Sequence, residues 1–505
     1  MIGGGAGGLA CAADLARQGV NVTLLERAEN SGGKLRQLQV DGQGIDAGPT
    51  VFTMRWVFEG LFGDCGQSLD RVLTLDPIQV LARHAWASGG RLDLFADRQR
   101  SAEAIAAFAS TAEAKRFIAF CETARAVYAA LERPFIRSSR PTLGSLISDL
   151  GWRGSTALWR IGPFSNLWNA LGRQFRDPRL QQLFGRYATY CGSSPLAAPA
   201  TLMLVADVEM QGVWGVRGGM VALARALEQL ASDCGATLRT RTEVTRILVE
   251  NGRACGVQLA DGETLRADTV VFNGDTQALA SGLMGDAVRP AVAPIRANER
   301  SLSAMAWCIH ARTEGFPLVR HNVFFDDDYP GEFRDIFQHQ RLPRRGTAYL
   351  CAQDRNDDAS APSGRERMLL LVNAPANGDR HHYLPDENEP CHEHAMQLMR
   401  RCGLTIDTRR RAEVLTTPEQ FAQLFPGTGG ALYGPAGHSW MAAFHRPAAA
   451  SPLPGLFLAG GSAHPGPGVP MATLSGRLAA ATVMAHLDST SRSRRVVISG
   501  GTSTH

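Results

Sequence analysis

The sequence predicts an α/β protein in which a dinucleotide-binding sheet is assembled from separated stretches of one chain. Three observations carry that prediction: a glycine fingerprint at the start, a Gly-Gly-cation pair just after it, and a glycine-rich loop opening a helix near residue 470. Gly3, Gly5 and Gly8 fit G-x-G-x-x-G, and a helix-period run, Leu9 to Gln18, follows directly. In such a motif the first glycine permits a tight strand-to-helix turn and the second lets a pyrophosphate approach the backbone. The third lets the helix pack close to the sheet, with its N-terminus facing the phosphates. Gly19 ends the helix, and Val20 to Leu25 reads as a strand leading to Glu26. Glu26 lies eighteen residues past Gly8, near the roughly 20 expected for a carboxylate that accepts both ribose hydroxyls. An ordinary glycine loop gives no reason for that acid.

Ser31-Gly32-Gly33-Lys34-Leu35 comes next, and Gly44-Ile45-Asp46-Ala47-Gly48-Pro49 follows it. A nicotinamide-binding unit continues into a helix at this point. A second glycine pair and a cation instead predict another close backbone approach to a long, extended ligand. On these residues the chain resembles the flavin-dependent amine oxidase and carotenoid desaturase superfamily, whose Gly-Gly-basic motif contacts FAD. The resemblance implies that Glu26 holds the adenosine ribose, and that Gly33 and Lys34 lie along the pyrophosphate and ribityl chain. It also places cofactor contacts at Gly3, Gly5, Ala6, Gly8, Arg27, Leu35, Val244, Gly460, Gly461, Val469 and Met471. Val244 matches a strand residue whose backbone meets the adenine.

Composition narrows the classes. With 505 residues the chain can hold two or three domains, and 44% hydrophobic against 20% charged residues supports a packed core. A net charge of +4 gives no argument for nucleic acid. Lys occurs only at Lys34 and Lys115, a bias that reads as base composition of the gene. The ten cysteines contain no C-x-x-C, so neither a zinc site nor a disulfide framework is indicated, and reduced thiols in a cytoplasmic protein are expected. No apolar run reaches the roughly 18 residues that could span a bilayer.

Along the chain, residues 65–205 read as mostly helix-period, with Phe108, Phe117, Phe120 and Tyr128 as core positions between Ala102 and Leu131. Pro195 and Pro199 suit the first turns of helices, and the charge-poor segment to Val205 reads as buried helix. The cofactor pattern resumes at Gly212-Val213-Trp214 and Gly218-Gly219-Met220, before an amphipathic helix from Val221 to Cys234. Thr240 to Leu248 is strand-like. Asn251-Gly252 and Asp261-Gly262 are hairpin turns, so Ile247 to Ala267 predicts a three-stranded meander, after which Val270 to Phe272 rejoins the main sheet. Beyond 290 the pattern is mixed: His321 to Phe325 and Met368 to Asn373 read as strands, and the Asp326-Asp327-Asp328 and Asp357-Asp358 runs as solvated loops. No metal site is expected, His381, His382, His392 and His394 included. Finally Leu456 to Leu458 runs into Gly460-Gly461, and a helix from Pro470 to about Leu487 directs its N-terminus at the cofactor. His464, among prolines in that loop, is not expected to be a catalytic base.

Taken together, the separated cofactor segments resemble a glutathione-reductase-type FAD-binding Rossmann-like domain with a discontinuous α+β substrate domain. The expected division is 1–62, 212–287 and 430–487 for FAD, and 63–211 and 288–429 for a substrate- and membrane-facing part. Residues 488–505 are expected as a disordered tail. Tyr187 to Pro195, Ala198-Pro199-Ala200-Thr201, Gly212-Val213-Trp214, Gly218-Gly219-Met220 and His464-Pro465-Gly466 resemble the bacterial carotenoid desaturases. Within them, the hydroxyneurosporene and methoxyneurosporene branch acts on 1-hydroxy- or 1-methoxy-carotenoids at C3–C4. That resemblance implies an acyclic carotenoid substrate, hydride transfer to flavin N5, and reoxidation by oxygen or a quinone. It also implies a cytoplasmic enzyme held peripherally on a lipid surface, and no residue emerges as an acid or base. Phytoene desaturation, carotenoid isomerisation, amine oxidation and a non-enzymatic lipid carrier of the same fold are the alternatives. One departure stands out. A dinucleotide fold needs a buried first strand of about 5 residues, yet only Met1 and Ile2 precede Gly3, which reads as a start internal to a longer protein. The stretch Arg494 to Gly501 resembles such a strand and its glycine turn, an alternative occupant of that slot to a disordered tail.

Overall fold

The computed structural model describes residues 1–139, 165–357, 360–407, 412–439 and 441–497. Two sheets organise the chain. The first is parallel, with Thr237–Arg239, Thr23–Leu25, Val270–Phe272 and Leu456–Leu458 as strands. Its central slot, between Thr23–Leu25 and Val270–Phe272, is held by Met1 to Gly3, where Ile2 bridges Leu25 on one side and Phe272 on the other. Backbone bonds from Ile2 N–H to Val271 O (2.9 Å), Gly3 N–H to Leu25 O (2.8 Å) and Asn273 N–H to Ile2 O (2.8 Å) complete the ladder. The stub therefore does a strand's work at its C-terminal end. Arg494 to Val497 does not dock there: the last helix runs Val469–Val497, so the expected disorder from 488 is corrected over the described residues, and 498–501 of the candidate strand lie outside them.

Helices Ala6–Ala16 and Met220–Asp233 and the start of Val469–Val497 pack into one apolar core with this sheet. Their approach is set by missing side chains. A Cβ on Gly8 would lie 2.1 Å from Gly3 O, so the first helix sits directly beneath the fingerprint turn. A Cβ on Gly476 would lie 2.0 Å from Gly7 O and 3.1 Å from Cys11 N, which brings the first and last helices to backbone contact. The meander is present as Val244–Glu250, Arg253–Leu259 and Thr264–Arg266, with Asn251 and Gly252 both at positive φ (49° and 71°) as a two-residue hairpin requires.

The second sheet has seven strands in the order Ala412–Thr416, Ser303–Ala311, Glu366–Ala374, Ala348–Ala352, His321–Phe325, Val80–Trp86, Arg91–Phe95. All neighbours are antiparallel except His321–Phe325 with Val80–Trp86. Here the helical reading of 65–205 is corrected, because Leu75–Pro77, Val80–Trp86 and Arg91–Phe95 are strands. Helices Arg98–Phe108 and Thr111–Leu131 follow, split at Ser110, whose side chain caps the second. Phe117 and Phe120 are fully buried, as expected. Pro199 precedes a 3-10 turn, Ala200–Met203, instead of opening a helix, and Pro195 lies in a turn. The aspartate run is not a solvated loop at its first member: Asp326 is buried and pairs with Arg401 (2.9 Å) and His394 (3.1 Å). Burial opposes its charge, but the His394 hydrogen bond, the Asp327 N–H and the Arg401 charge outweigh it, and the pKa falls to about 2. Asp358 and residues 498–505 lie outside the described residues.

The helix contact is testable. Gly476→Ala forces its new methyl onto the Gly7 carbonyl, and overpacking of this kind costs about 1–3 kcal/mol. A lower denaturation midpoint together with weaker cofactor retention is expected. An unchanged midpoint would mean that this contact does not set the spacing.

Candidate active site

A large cavity of ≈ 1190 Å³ lies between the two sheets. Pockets for one drug-sized ligand run to roughly 300–1,000 Å³, so this one has room for an extended cofactor and a second long molecule. One wall is backbone-rich and polar. Gly3, Gly5, Ala6, Glu26, Arg27, Gly33, Lys34, Leu35, Val244, Gly460, Gly461, Val469 and Met471 all line it. Gly8 does not, and its role is the helix packing described above.

This wall suits a dinucleotide with an anionic centre. Gly5 caps the first helix without a side-chain hydrogen bond, and the first intrahelical bond is from Leu9 N–H to Gly5 O. The N–H groups of Ala6 and Gly7 therefore have no intrahelical acceptor and carry the positive end of the helix dipole. The last helix brings a second N-terminus to the same cavity at Val469 to Met471. Lys34 and Arg446 add buried cations. Burial lowers the Lys34 pKa, and Nζ donates to Leu432 O. Burial pulls Arg446 down to about 10, while its guanidinium ties the loops together through Gly461 O (2.9 Å), Pro435 O (2.8 Å) and Tyr433 O (3.1 Å).

Glu26 has a structural task that its spacing alone did not disclose. Oε2 accepts the Gly4 N–H at 2.7 Å and Oε1 accepts the Ala28 N–H at 2.8 Å. The carboxylate thus fixes the fingerprint turn while lining the cavity. Gly218-Gly219 also changes meaning. Neither lines the cavity. The buried Asp46 carboxylate accepts the Met220 N–H and caps that helix from outside, and a Cβ on Gly219 would fall 2.3 Å from Asp46 Oδ2. Burial raises the Asp46 pKa despite that bond.

Asn273 is absent from the expected cofactor contacts, yet the glycine turns close around it. Its Nδ2 donates to Gly3 O at 3.1 Å, and Cβ atoms on Gly7 or Gly460 would come within 2.7 and 2.8 Å of its Oδ1. Its position just after a buried strand, before Gly274, was the available signal. His464 is turned away from the cavity: Nε2 meets Phe135 O at 3.0 Å, and burial lowers its pKa to about 4.

Much of the opposite lining is apolar. Leu369 and Leu371 of Glu366–Ala374 and Ala306 of Ser303–Ala311 form a floor, with Leu202, Leu204, Val205 and Val208 above. Phe135, Phe425 and Phe444 add aromatic surface. Among the described residues no group of three His, Cys, Asp or Glu is placed to hold a metal ion, and no helix is long and apolar enough to cross a membrane.

Comparison with known proteins fits this arrangement. The profile of flavin containing amine oxidoreductases matches residues 6–484. The hydroxyneurosporene desaturase of Rubrivivax gelatinosus is 60% identical over 505 residues, covering 100% of this chain and 96% of that protein. The protein of the same name from Cereibacter sphaeroides is 46% identical over 493 residues, 97% of this chain and 98% of its own. A solved oxidoreductase from Methanosarcina mazei superposes with a TM-score of 0.61 at 18% identity, covering 96% of this chain and 98% of that one, a likeness of fold.

Because Glu26 holds two backbone N–H groups, Glu26→Ala is expected to act twice. Flavin affinity falls at least about tenfold, and the cofactor-free chain loses about 1–3 kcal/mol from the orphaned donors. Calorimetric titration with FAD and denaturation of the apoprotein check the two effects. Wild-type affinity in the variant would remove Glu26 from the site.

Proposed function

This chain belongs to the flavin containing amine oxidoreductase family, and we propose that it is a FAD-dependent carotenoid desaturase acting at C3–C4 of acyclic 1-hydroxy- or 1-methoxy-carotenoids. The observation that carries the reading is the continuity of the cavity. The glycine cradle and the apolar floor open onto one space, so a cofactor along the first can touch a hydrocarbon along the second. The relatives' named substrate supplies the finer identity.

FAD, when bound, supplies a hydride acceptor. The chain's own part is binding, orientation and exclusion of water. Ala6 and Gly7 N–H groups, with Lys34 and Arg446, suit the pyrophosphate; Glu26 suits the adenosine ribose, and Val244 the adenine edge. The N-terminus at Val469 to Met471 suits a ring that becomes anionic on reduction. The leucine- and valine-lined walls hold a polyene in a dry slot, where positioning gives most of the acceleration. No side chain is assigned as a base.

The expected domain division belongs to this reading. All strands of the parallel sheet fall within 1–62, 212–287 and 430–487, and all strands of the seven-stranded sheet within 63–211 and 288–429. A long hydrocarbon dissolves in lipid, not water, which supports uptake at a membrane surface. Reoxidation by oxygen or a quinone completes the cycle.

Anaerobic incubation of the FAD-loaded chain with 1-hydroxyneurosporene, followed by product chromatography, tests the reading. One added C3–C4 double bond and matching loss of flavin absorbance are expected, with phytoene turned over at least about 100-fold more slowly. Equal conversion of phytoene would make the chain a general phytoene desaturase instead.

A further inference from the structure

A slot for pure hydrocarbon needs no polar lining, yet one part of this cavity carries a buried polar cluster. Tyr349 and His321 come from neighbouring strands of the seven-stranded sheet, and Tyr329 from the first turn of Tyr329–Phe337. Arg186 and Tyr190 come from the 3-10 turn Arg186–Cys191. All five line the cavity. Tyr349 Oη is held between Thr50 Oγ1 at 2.7 Å and His321 Nδ1 at 2.8 Å. Arg186 Nη1 donates to Tyr190 Oη at 2.9 Å, and the guanidinium lies 5.1 Å from the ring centres of both Tyr190 and Tyr349.

The cluster is open where others nearby are closed. Glu332, also buried, is fully engaged by Thr347 N–H (2.9 Å), Thr347 Oγ1 (2.7 Å) and Asn373 Nδ2 (2.7 Å). By contrast, His321 Nε2 and Tyr329 Oη are buried with no hydrogen-bond partner among the described residues. Arg186 makes no close ion pair among them either, the buried Glu209 carboxylate acting on it from farther off, and it keeps its charge. Burial, with help from the Arg320 and Arg186 charges, holds His321 neutral by lowering its pKa to about 3. Unpaired buried polar atoms destabilise a fold and call for an explanation, for which a ligand atom is one answer.

Location identifies the ligand atom. Thr50 follows Gly48-Pro49, and a Cβ on Gly48 would lie 1.8 Å from Lys34 O, so Thr50 ties the cluster to the cofactor strip. In a 1-hydroxy- or 1-methoxy-carotenoid only C2 separates the oxygen-bearing C1 from the reacting C3–C4 bond. The substrate's oxygen is therefore bound near the cofactor, not at the far end of the slot. Building on the desaturase reading above, we propose that Arg186, His321 and Tyr329, positioned by Tyr190 and Tyr349, form the specificity site for the C1 oxygen. Arg186 only donates, which suits hydroxyl and methoxy oxygens alike, while Tyr329 both donates and accepts. A hydrocarbon end leaves these groups unpaired, and a site built for an oxygen rejects such an analogue strongly.

The test compares kcat/KM for 1-hydroxyneurosporene and for neurosporene, which lacks the oxygen, in the FAD-loaded wild type, Tyr329→Phe and His321→Phe. Wild type favours the hydroxylated substrate. Each variant is expected to reduce that preference about tenfold or more, mostly by raising KM for the hydroxylated substrate. Tyr329→Phe removes a hydroxyl without a protein partner, so its melting temperature is expected to stay level or rise, unlike that of a packing mutant. His321→Phe tests the same site should the first variant misfold. Preference unchanged in both folded variants overturns the proposal, as does a change confined to the KM of the electron acceptor. A wild type that desaturates neither substrate defeats the desaturase reading itself. A wild type that desaturates both equally defeats only the specificity site.

Discussion

The space around Asn273 is the constraint on which the rest of the site depends. The fingerprint turn, the first helix and the Gly460 loop all approach this one side chain within van der Waals distance or closer than a Cβ allows. Any side chain on Gly7 or Gly460 would collide there, and one on Gly8 would meet both Asn273 and the Gly3 carbonyl. Backbone therefore meets backbone at the centre of the parallel sheet, and two helix N-termini reach one cavity. Asn273 is small enough to fill the gap and polar enough to answer the Gly3 carbonyl.

Electrostatics follow from that geometry. The cofactor wall gathers two helix ends with Lys34 and Arg446, balanced in part by Asp275. The facing floor at Ala306, Leu369 and Leu371 is apolar away from the Arg186 cluster. Lys34 and Arg446 both have lowered pKa values because burial disfavours their charge, so an anion placed between them regains what desolvation removed. Such a division, charge on one side and hydrocarbon on the other, is what joins a dinucleotide to a lipid in one dry space.

Legibility in the sequence tracks the range of the interactions. The fingerprint and the hairpin turns are legible because each is complete within a few residues, and Glu26 stands out by its spacing of eighteen residues from Gly8. The Gly218-Gly219 pair was visible but misread, since its purpose is set by Asp46, far away in the chain. Val80–Trp86 escapes the strand pattern for a different reason. Central strands are covered on both faces, and six of its seven residues are buried, so the alternation that marks a strand is absent. Asp326 looked solvated beside two other aspartates, because Arg401 and His394 arrive from a helix much later in the sequence. The polar cluster at Arg186, His321 and Tyr349 leaves no local mark, as its members come from segments far apart in the chain.

The backbone contact between Gly7 and Gly476 has a consequence for the order of assembly. Chains emerge from the ribosome N-terminus first and fold in that order where they can. Here the fingerprint is made well before the helix that braces it and the Gly460 loop that closes its cavity. A nascent chain halted before residue 476 has the motif but not the container. Flavin capture thus waits for the Gly460 to Gly476 stretch and does not accompany the emergence of the fingerprint.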